Sequence, residues 1–212
     1  MSDLAASLAR RAVERSVADR QATYVKEIER IVDATYRVIA DTGAFDPPLR
    51  DILRQSGLST QAFYKHFRSK DELLLLMLDD GRRRLVGYLE HRMDKATTAD
   101  GRVKAWIEGV LAQAGQPDAA ARTRPFLANQ DRLAEQFPEE QKASVDRLVT
   151  LLADAVEQAS GGRQSKRDAQ VIYHAAFGAL HRHLAGGTRP PAAEVDHLVR
   201  FCLDAVKGRN HG

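Results

Sequence analysis

The sequence predicts an all-α protein, and three observations carry that prediction. Glycines and prolines collect at segment boundaries, apolar residues recur at helical spacing between them, and no clear run alternates apolar with polar residues as a half-buried strand would. Helices are expected near 22–43, 47–55, 59–66, 70–95, 100–115, 118–137, 139–160, 165–185 and 191–207, about nine in all, the sixth broken near Thr123–Pro125.

The boundaries have physical causes. Gly43 follows the first long helix as its C′ residue. Asp46 before Pro47 reads as an N-cap with proline at the first helical position, where a missing N–H costs nothing. Pro138 opens another helix ahead of Glu139 and Glu140, whose charges suit its positive end. Ser160-Gly161-Gly162 and Gly186-Gly187-Thr188-Arg189-Pro190 are the clearest loops. Three stretches organise the chain: a basic extension over 1–20, a small domain over 21–70 and a larger helical bundle over 71–212. Arg10, Arg11, Arg15 and Arg20 of the extension could reach along a nucleic acid. Asp3, Glu14 and Asp19 dilute that charge, so a solvated, partly helical extension is the plainer reading.

Composition excludes several function classes. The 212 residues are 43% hydrophobic and 29% charged with a net charge of +3, which suits a soluble folded protein and not a disordered one. Cys202 is the single cysteine, so neither a disulfide framework nor a cysteine-based zinc site is expected within the chain. No stretch approaches the roughly 18 apolar residues of a membrane span, and the N-terminus lacks the apolar centre of a signal peptide. The expectation is a cytoplasmic protein with no membrane partner. Enzyme readings find no support. There is no glycine-rich phosphate loop and no His-Glu metal motif. His181 and His183 do not share a helix face, while His174 and His181 stand about 10 Å apart along an axis. That is too far to ligate one metal. Cys202 falls in an apolar stripe and reads as core. No catalytic residue, metal or cofactor is expected.

The decisive stretch runs from Asp46 to Leu74. Between Arg50 and Lys70 five basic side chains (Arg50, Arg54, Lys65, Arg68, Lys70) face one acid, Asp51. Such local positive charge is what contact with phosphates requires. Pro47 to Gln55 is a short helix with Leu49, Ile52 and Leu53 on one side, and Ser56-Gly57-Leu58 is a tight turn. Ser59 caps a second short helix, of which Ala62, Phe63 and Phe67 form the buried side. Thr60, Gln61, Tyr64, Lys65 and His66 are left facing outward. Two short helices joined by such a turn form a helix-turn-helix, with the second helix placed to enter a DNA major groove. Gln can pair bidentately with adenine, and Tyr, Lys and His are good phosphate donors. An ordinary helical hairpin would not account for an outward face so rich in these groups.

Arg50-Asp51-Ile52, Gly57-Leu58-Ser59, Phe63-Tyr64-Lys65-His66-Phe67 and Ser69-Lys70-Asp71-Glu72-Leu73 together resemble the tetracycline-repressor (TetR) family of bacterial regulators, over roughly residues 22–75. The resemblance implies an N-terminal three-helix helix-turn-helix domain on a larger C-terminal bundle. It further implies a DNA-binding transcriptional regulator, usually a repressor that a small-molecule ligand releases from double-stranded operator DNA. Thr60 and Gln61 would then read bases, Tyr64, Lys65 and His66 would touch phosphates or the groove wall, and Lys70 would hold a phosphate at the start of the fourth helix. Two departures stand out. Pro47-Pro48 replaces the threonine that usually opens the second helix, and Leu53 replaces a small alanine.

The same resemblance implies that the bundle carries an effector pocket and a homodimer interface. For the interface, Val195, Leu198, Val199, Cys202, Leu203 and Val206 form one stripe at helical spacing. Ala175, Ala176, Gly178 and Ala179 would let another helix approach. For the pocket, Trp106, Phe126, Leu133, Phe137, Tyr173 and Phe177 are apolar candidates, with Asn129 and Gln130 as polar anchors near them. Arg122 and Arg124 could meet an anion, although a solvated surface suits them better. An alternative is a DNA-binding factor with no effector, whose bundle only dimerises; a ligand-induced melting shift separates the two.

Overall fold

The computed structural model describes residues 2–42, 46–160 and 165–208, with the side chains of 2–6, 8, 9, 12, 117, 118, 121, 122 and 124–128 outside the description. Gly43, the loop at Gly161-Gly162 and the side chains of Arg122, Arg124 and Phe126 therefore lie outside the described residues. The described residues form α1 Ser2–Thr42, α2 Leu49–Ser56, α3 Thr60–His66, α4 Lys70–Met93, α5 Ala99–Ala112, a 3-10 turn Gln113–Gly115, α6 Pro117–Gln136, α7 Pro138–Ser160, α8 Ser165–Gly186 and α9 Ala192–Lys207. There is no strand among them.

Three boundaries differ from the sequence-based expectation. The first helix starts at Ser2, not near residue 22. Residues 2–20 contain neither glycine nor proline and are rich in Ala and Arg, both strong helix formers, so nothing interrupts the helix. Asp46 is not an N-cap; Pro48 occupies that position with φ −62° and ψ 137°. A residue before proline is driven out of the helical region, which keeps Pro47 extended and delays the helix to Leu49. The sixth helix is unbroken through Pro125. The hydrogen bond lost at proline is one among many, and α6 packs along α7 and α8.

The chain divides into two compact units, Met1–Leu73 and Leu74–Gly212. In the first, α1 contributes Ile31, Ala34, Val38 and Ile39 to a core completed by Ile52 of α2, Phe63 of α3 and Phe67. The α2–α3 turn depends on Gly57, whose φ of 66° lies in the left-handed region and whose N–H donates to Leu53 O. A Cβ there would also stand 3.1 Å from Arg30 Nη2, the atom that donates to Ser56 O at 2.7 Å. Glycine thus permits both the turn and its fastening to α1.

In the second unit α5 is central, packing against α7, α8 and α9. Trp106, Ile107 and Val110 of α5 are fully buried with Leu148 and Leu152 of α7 and Ala176 of α8. The start of α9 is fastened to α8 by His183, whose ring meets Thr188 Oγ1 at 2.8 Å and Glu194 Oε2 at 3.0 Å.

Candidate functional site

Ser59 begins α3 as a capping residue, its Oγ accepting from Ala62 N at 3.1 Å. Phe63 and Phe67 are buried and fix the inner side of the helix. Thr60, Gln61, Tyr64 and Lys65 are all exposed, Tyr64 to 55%. This outer face carries a hydroxyl, an amide, a phenol and an ammonium within two turns, the groups that read base edges and grip phosphates.

His66 is a correction. Its side chain is 0% exposed and its Nε2 donates to Glu27 Oε2 at 2.6 Å. Its ring sits edge-on to Tyr24 at 4.2 Å between centroids. His66 faces α1 because α3 is a single short helix, and its last residue has turned round to the side of Phe63. It therefore fastens α3 to α1 and is absent from the helix's exposed face. Lys65 also reaches Glu27, at 3.4 Å, and lies 5.7 Å from the Tyr24 ring centroid, yet remains exposed. Lys70 Nζ pairs with Asp46 at 2.6 Å, so a phosphate would have to displace that carboxylate. Tyr24, Glu27 and Arg30 were not singled out in the sequence. Nothing local marks them, since their partners lie 26 or more residues away.

The hydrogen bond from His66, followed by Lys65, holds the Glu27 carboxyl below its ordinary value of 4.5. The contribution of this contact is fully present above the unfolded carboxyl's pKa and is lost as the pH falls through the lower folded value. In melting measurements between pH 3 and 7, the gap between wild type and Glu27→Gln should close on acidification below about pH 4.5. A gap constant across that range would remove Glu27 as the anchor of α3.

Within the second unit, the candidate pocket residues cluster in part. Tyr173 stacks on Phe177 at 4.3 Å, and Trp106 stands 6.5 and 6.3 Å from their centroids. Leu133 and Asn129 are buried, and Gln130 is half-buried, on α6. Phe137 ends that helix and is half-buried. The sequence reading missed Arg82 on α4, which is buried and donates to Gln141 Oε1 of α7 at 2.6 Å. A signal existed. Arg82 falls on the stripe Arg82-Leu85-Leu89-Met93, whose other members are apolar, and the flanking Arg83 and Arg84 disguised it as part of a solvated charge run.

The interface stripe also needs correction. Ala179, Val199, Cys202 and Val206 are buried inside their own chain, because α9 turns that face onto α5 and α8. Val195, Leu198 and Leu203 are half-buried against the same core, and Ala175 is half-buried on α8. The apolar side chains left uncovered are one step round each helix, Val171 at 67% exposure and Phe201 at 64%. An added Cβ at Gly178 would meet nothing within 4 Å.

Residues 31–77 match the family model described as bacterial regulatory proteins, tetR family. This stretch of the chain is thus a TetR-family DNA-binding region. The relatives that match are named as helix-turn-helix transcriptional regulators, not as enzymes. The chain is 37% identical over 92 residues to the HTH-type transcriptional regulator YwcC of Bacillus subtilis, a match covering 40% of this chain and 39% of YwcC. It is 26% identical over 171 residues to BetI of Brucella canis, covering 80% of this chain and 85% of BetI. Among solved structures, the fold of this chain matches FadR from Bacillus subtilis in complex with stearoyl-CoA, with a TM-score of 0.63 and 16% identity over 84% of this chain and 96% of FadR. No described helix is long and apolar enough to cross a membrane.

Proposed function

We propose that this chain is a cytoplasmic homodimeric repressor of the TetR family that leaves its operator when a small molecule binds inside the bundle. The observation that carries the DNA-binding half is the outer face of α3, where Thr60, Gln61, Tyr64 and Lys65 are exposed over the buried Phe63. Thr60 and Gln61, nearest the helix start, meet base edges, while Tyr64, Lys65 and Lys70 meet phosphates. The uncovered face of α8 and α9, with Val171, Gly178 and Phe201, meets its copy about a two-fold axis. The effector half draws support from the aromatic cluster of Trp106, Tyr173 and Phe177, and from the stearoyl-CoA held by FadR on the same fold. Helix α4 runs from Lys70 to Met93 and so belongs to both units. A ligand that prefers one position of α4 shifts the spacing of the two recognition helices, and DNA affinity falls when that spacing no longer fits the operator.

Gln61→Ala tests the docking. It should cost about 1–3 kcal/mol on the cognate operator and relax preference at one base position, with little loss on random DNA. Binding titrations on both DNAs check this; equal losses would remove Gln61 as a base reader.

A further inference from the structure

Arg82 is 8% exposed, and among the described residues no carboxylate comes within ion-pair distance of it. The nearest acid on its own helix, Asp79, is engaged by Arg83 at 3.1 Å and by Arg147 of α7. Two ionisable groups beside it, Tyr173 and His181, stay uncharged near neutral pH. Burial pushes the Tyr173 hydroxyl up, and burial together with Arg82 pushes the His181 imidazole down. Asp79 and Arg147 act on the guanidinium in opposite senses, so among the described groups this interior keeps a net positive charge. Beside it lie buried donors without a partner: Gln141 Nε2 on the same amide that accepts from Arg82, and Ser144 Oγ one turn further along α7. Trp106 Nε1, in the adjoining aromatic cluster, is likewise unpartnered.

A guanidinium removed from water without a counter-charge is costly, and an apolar pair would join α4 to α7 at lower cost. Gln141 accepts at Nη1 alone, and the planar fork matches an oxyanion with two parallel N–H donors. Next to this head group the wall is apolar, with Tyr173 stacked on Phe177.

We propose that the effector is an amphipathic organic anion whose charged head is held by Arg82, Gln141 and Ser144, and whose apolar body lies along Tyr173, Phe177 and Trp106. This rests on the reading of the bundle as an effector domain and adds the chemical class of the effector. Carboxylate and phosphate heads share the recognising chemistry, and the experiment separates them.

Trp106 is the only tryptophan, so its emission reports on this wall directly. The full-length protein is titrated with straight-chain carboxylates from four to eighteen carbons, the corresponding alkyl phosphates and the corresponding neutral alcohols. Phenylacetate and phenylacetamide form an aromatic pair. At least one anion should bind tenfold or more tighter than its neutral counterpart, and the better head group identifies carboxylate or phosphate. Arg82→Met should abolish that preference, leaving the neutral compound's affinity within about twofold. Without ligand, Arg82→Met should melt at or above the wild-type temperature, which separates loss of the head-group contact from unfolding. If that variant fails to fold, Arg82→Lys and the wild-type ratio still decide. Equal binding of acid and neutral compound, a preference that survives removal of Arg82, or no binding across the panel would each overturn the proposal. Operator release is scored separately. A neutral compound that binds and releases operator overturns the anion assignment alone, whereas a bound anion that leaves operator binding intact overturns the effector-release reading alone.

Discussion

Phe201→Glu should convert the protein to monomers and abolish operator binding at ordinary concentrations. Phe201 is 64% exposed on α9, as Val171 is at 67% on α8, where Gly178 is also open. A buried aromatic side chain contributes about 1.5–3 kcal/mol, and a two-fold axis counts the loss twice. The substitution also brings two carboxylates close to the same axis, where like charges cost several kcal/mol. A monomer then grips one half-site without the second linked to it, and avidity of about 10²–10⁴ is lost. Sedimentation and operator titration measure the two consequences. Val199→Ala is the informative comparison, because Val199 is buried within its own chain. It should lower the melting temperature and leave the dimer intact. A Phe201→Glu protein that still sediments as a dimer would remove this face from the interface.

The combined Lys65→Ala and Lys70→Ala protein should show a log–log salt slope of operator binding smaller by about 3–4 units. Each phosphate contact releases roughly one counterion, and two lysines in two subunits make four contacts. Affinity should fall on operator and random DNA alike, since phosphates carry no direct sequence information. The intramolecular partners add a second effect. Lys70 is held by Asp46 at 2.6 Å and Lys65 lies 3.4 Å from Glu27. Removing the lysines takes a cation from beside each carboxylate, so the loss of affinity should exceed what the slope alone implies. Lys142→Ala is the control, a lysine on α7 paired with Asp146 at 2.8 Å. A slope change as small as that of Lys142→Ala would sink the proposed docking.

Much of this architecture is written in local chemistry. The helix-turn-helix is legible because Gly57, Ser59, Phe63 and Phe67 each act within a turn or two of chain, through a left-handed φ, a cap and a helical period. Pro138 with Glu139 and Glu140 opens α7 as expected for the same reason. The proline pair at 47–48 was misread although the information was local, because the restriction that Pro48 places on Pro47 outweighs the capping potential of Asp46.

Only tertiary structure decided which side of a stripe faces home. Val199 and Cys202 differ from Phe201 by a fraction of a turn on α9, and helical period alone cannot tell a chain's own core from the surface offered to a copy. His66 reads as an outward phosphate donor in sequence, yet Glu27 and Tyr24 of α1 draw it inward across some forty residues of chain. Arg82 sits among arginines and is the one turned inside, because the apolar stripe of α4 points that way and carries it along. In each case the sequence determined which residues share a helix face. What that face meets depends on residues far along the chain, whose positions are set only when the helices pack.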